Sequence, residues 1–233
     1  AIMGLNHSPH IVTDGLVLCL DAANLRSYPG AGTTWTDLAT SKVNGTLTNM
    51  TDNFSTDGLG CLTFDGADEH VNCGDNFSFL DDPDANEFTI TSWINGNDGA
   101  DGTIFSKADS GNRMVQLYTH SSNYGVIRVG GVITDGSAIV TDGTWHNVCL
   151  RVRNDGGTYK AKLYVDGMSD SDEVATGSTT VTADFLIGAR RDSGNTGLGY
   201  PFDGKIANCL IYNRALSSAE ILKNYEATVV RYT

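Results

Sequence analysis

The chain has 233 residues, 40% hydrophobic and 18% charged, with 27 glycines against 4 prolines and a formal net charge of −13. That composition argues against a disordered or coiled-coil chain, and the acidity argues against DNA or RNA binding, since no basic cluster beyond pairs such as Arg190-Arg191 interrupts it. No apolar run approaches the roughly 20 residues of a membrane helix, and Ala1–His7 has neither the basic flank nor the apolar core of a secretion signal, so no membrane insertion is expected.

Strand signals recur at short spacing along the chain. Residues 1–15 carry few of them and read as an N-terminal arm; residues 16–233 read as one domain with no linker inside it. The first strand is Leu16–Leu20, preceded by the turn pair Asp14-Gly15. The segment 44–60 is rich in Thr, Asn, Asp and Gly and reads as a long surface connection. Strands 61–64 and 70–73 follow, then 88–94 and 114–118. Val126–Val129 and Val132-Ile133 are split by Gly130-Gly131, a hairpin signal. Residues 145–152 form another strand. Tyr159, Ala161, Leu163 and Val165 alternate with Lys160, Lys162 and Tyr164, a half-exposed strand ending at the turn pair Asp166-Gly167. Strands at 185–187 and 206–212 complete the set.

No helical pattern separates these strands, so a parallel βαβ arrangement is excluded and two packed antiparallel sheets are expected. The predicted fold is an all-β, two-sheet jelly-roll sandwich with one short C-terminal helix. That helix begins at Ser217, where Glu220 three residues on completes a capping box and Leu216 and Ile221 form a hydrophobic staple. Ile221, Leu222, Tyr225 and Val229 then make one apolar stripe. The five cysteines (19, 61, 73, 149 and 209) are odd in number and form no CxxC pair, so buried free thiols are expected.

Several blocks, in order, resemble the laminin-G-like jelly rolls of the concanavalin-A-like lectin/glucanase superfamily. They are Leu16–Asn24, Gly32–Leu38 with Asn44–Leu47, Leu62–Val71, Phe88–Trp93, Gly143–His146, and Asp203–Ser217. Ile11–Val17 and Ile221–Thr228 resemble the versions found in structural proteins of tailed, especially marine, phages. The resemblance implies a jelly roll over nearly the whole chain. It leaves open lectin, glycanase and structural roles, because one fold carries all three.

A retaining glycanase needs two carboxylates about 5–5.5 Å apart. Glu69, Glu87, Glu173, Glu220 and Glu226 never share a strand face, and no strand alternates acidic with apolar residues, so no catalytic residue is expected. His146 lacks a nearby serine elbow and reads as a structural histidine. His7 and His10 have no third ligand beside them. Calcium is a candidate cofactor, though none is required; Asp68 and Asp101 sit in Asp/Asn/Gly-rich loops and are the candidate ligands. The acidic pair that many relatives carry in the closing strand is replaced here by Ala207-Asn208. For sugar binding, which needs an aromatic platform beside planar polar groups, the candidates are Tyr28, Trp35, Asn195 and Tyr200. The three tryptophans lie in blocks that usually pack the fold.

Two functional expectations follow. The first is a non-enzymatic virion structural or decoration module of a phage, appended to capsid or tail after assembly in the host cytoplasm. Its partners would be other virion proteins or further copies of itself. The alternative is a glycan-binding adhesion module that recognises carbohydrate on a host surface. A polysaccharide-degrading enzyme is a third reading, which the missing carboxylate pair disfavours.

Overall fold

The computed structural model describes residues 10–97, 99–108, 114–178, 180, 182–192 and 197–233. The chain opens with β1 (Leu16–Asp21), β2 (Thr34–Trp35), β3 (Gly45–Thr48), β4 (Phe54–Ser55), β5 (Cys61–Asp65) and β6 (His70–Asn72). Next come the long strands β7 (Phe88–Gly96), β8 (Gly102–Ala108), β9 (Met114–Thr119), β10 (Tyr124–Val129), β11 (Val132–Ile139), β12 (His146–Asp155) and β13 (Thr158–Val165). The short pieces β14 (Met168–Ser169), β15 (Val174–Ala175), β16 (Phe185–Ile187), β17 (Arg190–Arg191) and β18 (Leu198–Gly199) follow. The chain then closes with β19 (Asp203–Tyr212) and helix α1 (Ser218–Thr228).

Two antiparallel sheets form the sandwich. Sheet A runs β14-β13-β12-β7-β19-β5-β4, with β1 also paired to β19 and β15 to β13. Sheet B runs β11-β10-β9-β8-β16-β6-β3-β2, and β17 and β18 form a separate small hairpin. The all-β jelly-roll expectation holds. The interior is filled from alternate positions of both sheets. Leu18 and Leu20, Ile90 and Ile94, Leu150 and Val152 come from sheet A; Val115, Leu117, Ile127 and Val129 come from sheet B. The period-2 alternation seen in the sequence is the imprint of this layer.

Local chemistry fixes the turns. Gly130 and Gly131 have φ of +59° and +84°, and Asp166 and Gly167 have +49° and +77°. Two successive positive φ values mark the type I′ turn, whose twist matches a hairpin, and glycine and aspartate tolerate them. The capping box at Ser217 is present in full, with Ser217 Oγ accepting from the Glu220 amide and Glu220 bonding back to the Ser217 amide. Leu216 and Ile221 are buried together, so the staple is formed too.

β8 had no period-2 signal because all seven of its residues are buried, polar ones included. The described stretch ahead of β1 is tied down at Val12. The Val12 amide donates to Asn224 Oδ1 at 2.7 Å, and Tyr212 Oη donates to the Val12 carbonyl at 2.9 Å. All five cysteines are free thiols. Burial pushes Cys19, Cys73 and Cys149 up to about 12 and Cys61 to about 11, so they behave as small hydrophobes. Among the described residues no helix is long and apolar enough to cross a membrane.

Candidate functional site

The strands of sheet B carry two rows of side chains on the face turned away from the core. Register places Ser106, Gln116, Arg128 and Ile133 in one row across β8 to β11. Thr103, Tyr118, Val126 and Asp135 form the next. Alternation dictates this: the core positions Val115, Leu117, Ile127 and Val129 interleave with them along the same strands. A sheet face lying in solvent reads as polar. Here polar residues are present but sunk, with Thr103, Ser106 and Gln116 all buried.

Against them stands the β17–β18 hairpin, which follows β16 and runs back along β8. It is fastened to β8 by backbone and side-chain bonds. The Gly188 amide donates to the Ile104 carbonyl (2.9 Å) and the Thr103 amide to the Tyr200 carbonyl (2.8 Å). Ser106 Oγ donates to the Ala189 carbonyl at 3.0 Å. The hairpin thereby brings Arg190 and Tyr200 against the sheet face. Asp101, Gln116, Tyr118, Arg128, Arg190 and Tyr200 line the resulting recess.

The recess is small, about 60 Å³. It suits a small polar group or a few waters, not a whole sugar ring. Its parts are held in place. The Arg190 guanidinium lies over the Tyr200 ring at 4.2 Å from the centroid, a cation–π contact that orients both. Gln116, 2% exposed, donates from Nε2 to Thr103 Oγ1 at 2.8 Å. Asp101 Oδ1 accepts the Ser121 amide at 2.7 Å, which joins the rim to the β9–β10 turn. Desolvation raises the Tyr118 phenol above its ordinary value, and the Arg128 charge opposes that rise, so the phenol stays a neutral donor at physiological pH. Tyr200 remains 42% exposed at the mouth.

The structure separates the residues proposed from sequence. Tyr200 and Asp101 meet in this recess. Trp35 does not: it is 0% exposed inside the core, on β2 opposite Gly45 of β3. Tyr28 is 3% exposed, its hydroxyl donating to the Gly32 carbonyl, and it shows only an edge to a depression between residues 30–33 and 50–52. Burial thus removes both as sugar platforms, because a ring packed on neighbours has no free face. Asn195 lies outside the described residues.

Asp68 lies two strands from Asp101, at the β5–β6 turn, with β16 between β6 and β8. The Asp68 carboxylate accepts from Asn49 Nδ2 at 2.8 Å. Among the described residues no group of three or more Asp, Glu, His or Cys side chains is placed to hold a metal.

Gln116, Tyr118, Arg128 and Arg190 were missed from sequence. A faint signal existed, since Arg128 and Gln116 interrupt the apolar runs Val126–Val129 and Val115–Leu117. A charged residue between core positions marks an outer face, but nothing local says that this face is covered. His146 is a satisfied structural histidine, its Nδ1 2.8 Å from Asp166 Oδ2 and its Nε2 3.0 Å from Thr144 Oγ1.

Similarity to known proteins agrees with this architecture. The chain resembles Trypanosoma rangeli sialidase at 18% identity and a TM-score of 0.65, over 96% of this chain and 34% of that one. It resembles the binding domain of Paraclostridial Mosquitocidal Protein 1 at 12% identity and 0.67, over 91% of this chain and 52% of that one. It resembles the Botulinum Neurotoxin serotype G binding domain at 14% and 0.63, over 90% and 50%. The chain therefore spans between a third and about half of these proteins, and the likeness is one of fold. No curated protein sequence matches the chain significantly. The family model of the concanavalin A-like lectin/glucanases superfamily, in its laminin G form, matches residues 65–222. With two-thirds of its length inside that match and the sandwich complete around it, the chain belongs to the concanavalin A-like lectin/glucanases superfamily.

Proposed function

We propose that the chain is a non-enzymatic, lectin-like module that binds carbohydrate at the recess on the outer face of sheet B. The observation that carries this is the pairing, in one fixed site, of an exposed aromatic ring (Tyr200) with planar hydrogen-bonding groups (Gln116, Asp101 and two guanidiniums). Sugar recognition uses that combination: apolar C–H faces rest on a ring while hydroxyls pair with planar polar groups. Among the described residues, one carboxylate, Asp101, lines the recess. Glycoside hydrolysis by the common route needs two, which supports binding without cleavage.

The Mosquitocidal Protein 1 and neurotoxin neighbours are described as binding domains, and they lend support at the level of fold. A glycan array probed with the intact chain tests the reading. Hits abolished by Tyr200→Ala and Gln116→Ala are expected; an array without hits, with and without calcium, overturns it. Calcium is not required on this reading, so a melting temperature unchanged by calcium is expected.

The setting we propose is the exterior of a phage particle, with the module appended to capsid or tail beside other virion proteins. Support comes from the phage-like wording of Ile11–Val17 and Ile221–Thr228 and from five free cysteines suited to assembly in a reducing cytoplasm. Mass spectrometry of purified virions is the test, and absence of this polypeptide would remove the proposal.

A further inference from the structure

We infer that the ligand of the sheet B recess is an acidic sugar, its carboxylate seated among Arg128, Arg190, Gln116 and Tyr118 and its ring resting on Tyr200. This deepens the carbohydrate-binding reading and depends on it. Three observations support it. The first is size: about 60 Å³ admits a carboxylate and leaves the ring at the mouth, where Tyr200 is exposed. The second is local charge. In a chain of net charge −13, the described residues lining the recess include two guanidiniums and one carboxylate, Asp101, with Asp135 in the adjoining row of β11. An anion is repelled by the molecule as a whole, and two guanidiniums set side by side make this the place where such repulsion is weakest.

The third is geometry. Arg128 rises from the sheet floor in the same row as Gln116, whereas Arg190 descends from the hairpin and is held over Tyr200. Donors therefore converge from two elements. A guanidinium has five N–H donors in a planar fork matched to a carboxylate. Both arginines also interact with neighbouring groups, and a guanidinium's planar fork can engage more than one partner at once. The Gln116 amide and Tyr118 hydroxyl add neutral donors. Asp101, with one oxygen held by the Ser121 amide, offers acceptor lone pairs to a ring hydroxyl. Hairpin and floor are hydrogen-bonded to each other before any ligand arrives, so little ordering remains for binding.

Isothermal titration of the intact chain with 3′-sialyllactose, a glucuronate-ended disaccharide and neutral lactose tests the inference. Binding of at least one acidic sugar is expected, with lactose weaker by about tenfold or more. The two acidic arms tell a sialic from a uronic carboxylate. Arg128→Gln and Arg190→Gln should each weaken the acidic sugar about tenfold with the melting temperature kept, and added salt should weaken it further. If Arg190→Gln loosens the hairpin, Arg190→Lys, which keeps the charge without the fork, should give an intermediate loss. Equal binding of lactose overturns the acidic specificity and leaves carbohydrate binding standing. No binding of any sugar here or on the array overturns both. Arginine variants that melt earlier yet bind unchanged make the pair purely structural and overturn the inference.

Discussion

The outer faces of the two sheets have been put to opposite uses. On sheet A the outward face includes Cys61, Trp93, Cys149, Tyr164, Leu210 and Tyr212, which gather into two apolar clusters beside the buried polar residues Thr91, Asn147 and Arg151. Helix α1 and the C-terminal tail cover them. Trp93 lies against Tyr232 at 4.1 Å and Tyr225 at 5.5 Å between ring centroids, and its indole N–H donates to Thr228. On sheet B the outward rows are Ser106, Gln116 and Arg128 beside Thr103 and Tyr118, and Arg190 and Tyr200 of the β17–β18 hairpin lie against them. The difference separates fold from function. A face closed by stacked rings is a second core, whereas a face of held polar groups left open at one place is where we propose that ligand binds.

The sharpest way to break that contrast is Trp93→Ala. Removing a buried indole stacked on two tyrosines should cost about 3–5 kcal/mol, read as a lower urea midpoint; a loss under about 1 kcal/mol would mean that the C-terminal cover is not part of the core. Ser217→Ala, which takes the cap from the covering helix, should cost about 1 kcal/mol in the same assay. On the open face, Tyr200→Ala should change stability by less than about 0.5 kcal/mol, as expected for a half-exposed ring at a rim, while removing glycan binding.

The smallest effect concerns pH. The hydrogen bond to Asp166 raises the His146 pKa above its ordinary 6.5, helped by the charges of Asp166 and Asp142 and opposed by burial. A folded-state pKa above the unfolded one means that the protonated form is favoured by folding. Its stabilisation is fully present below about pH 6.5 and is lost as pH rises through the raised value. His146→Asn should flatten the melting-temperature profile across that window; an unchanged slope would show that another group titrates there.

Much of the architecture was legible because it is written in local chemistry. The alternation in Tyr159–Val165, the turn pairs Gly130-Gly131 and Asp166-Gly167, and the Ser217–Glu220 box each specify backbone geometry within a few residues. β8 was illegible because its periodicity is erased where both faces are covered. The same cause hid the site. Tyr200 and Asp101 were recognisable as an aromatic and an acid in glycine-rich loops, but Trp35 and Tyr28 carry the same chemistry and are packed inside.

The sequence by itself determined the strand period, the hairpins, the helix cap, the free thiols and the absence of an alternating acidic strand, all readable from neighbours along the chain. The tertiary structure alone decided which face each polar residue occupies and what lies over it. Arg128 and Arg190 are 62 positions apart by their numbers and line one recess only because the β17–β18 hairpin is bonded back onto β8. A binding site is a matter of distance and burial, and long-range pairing sets both.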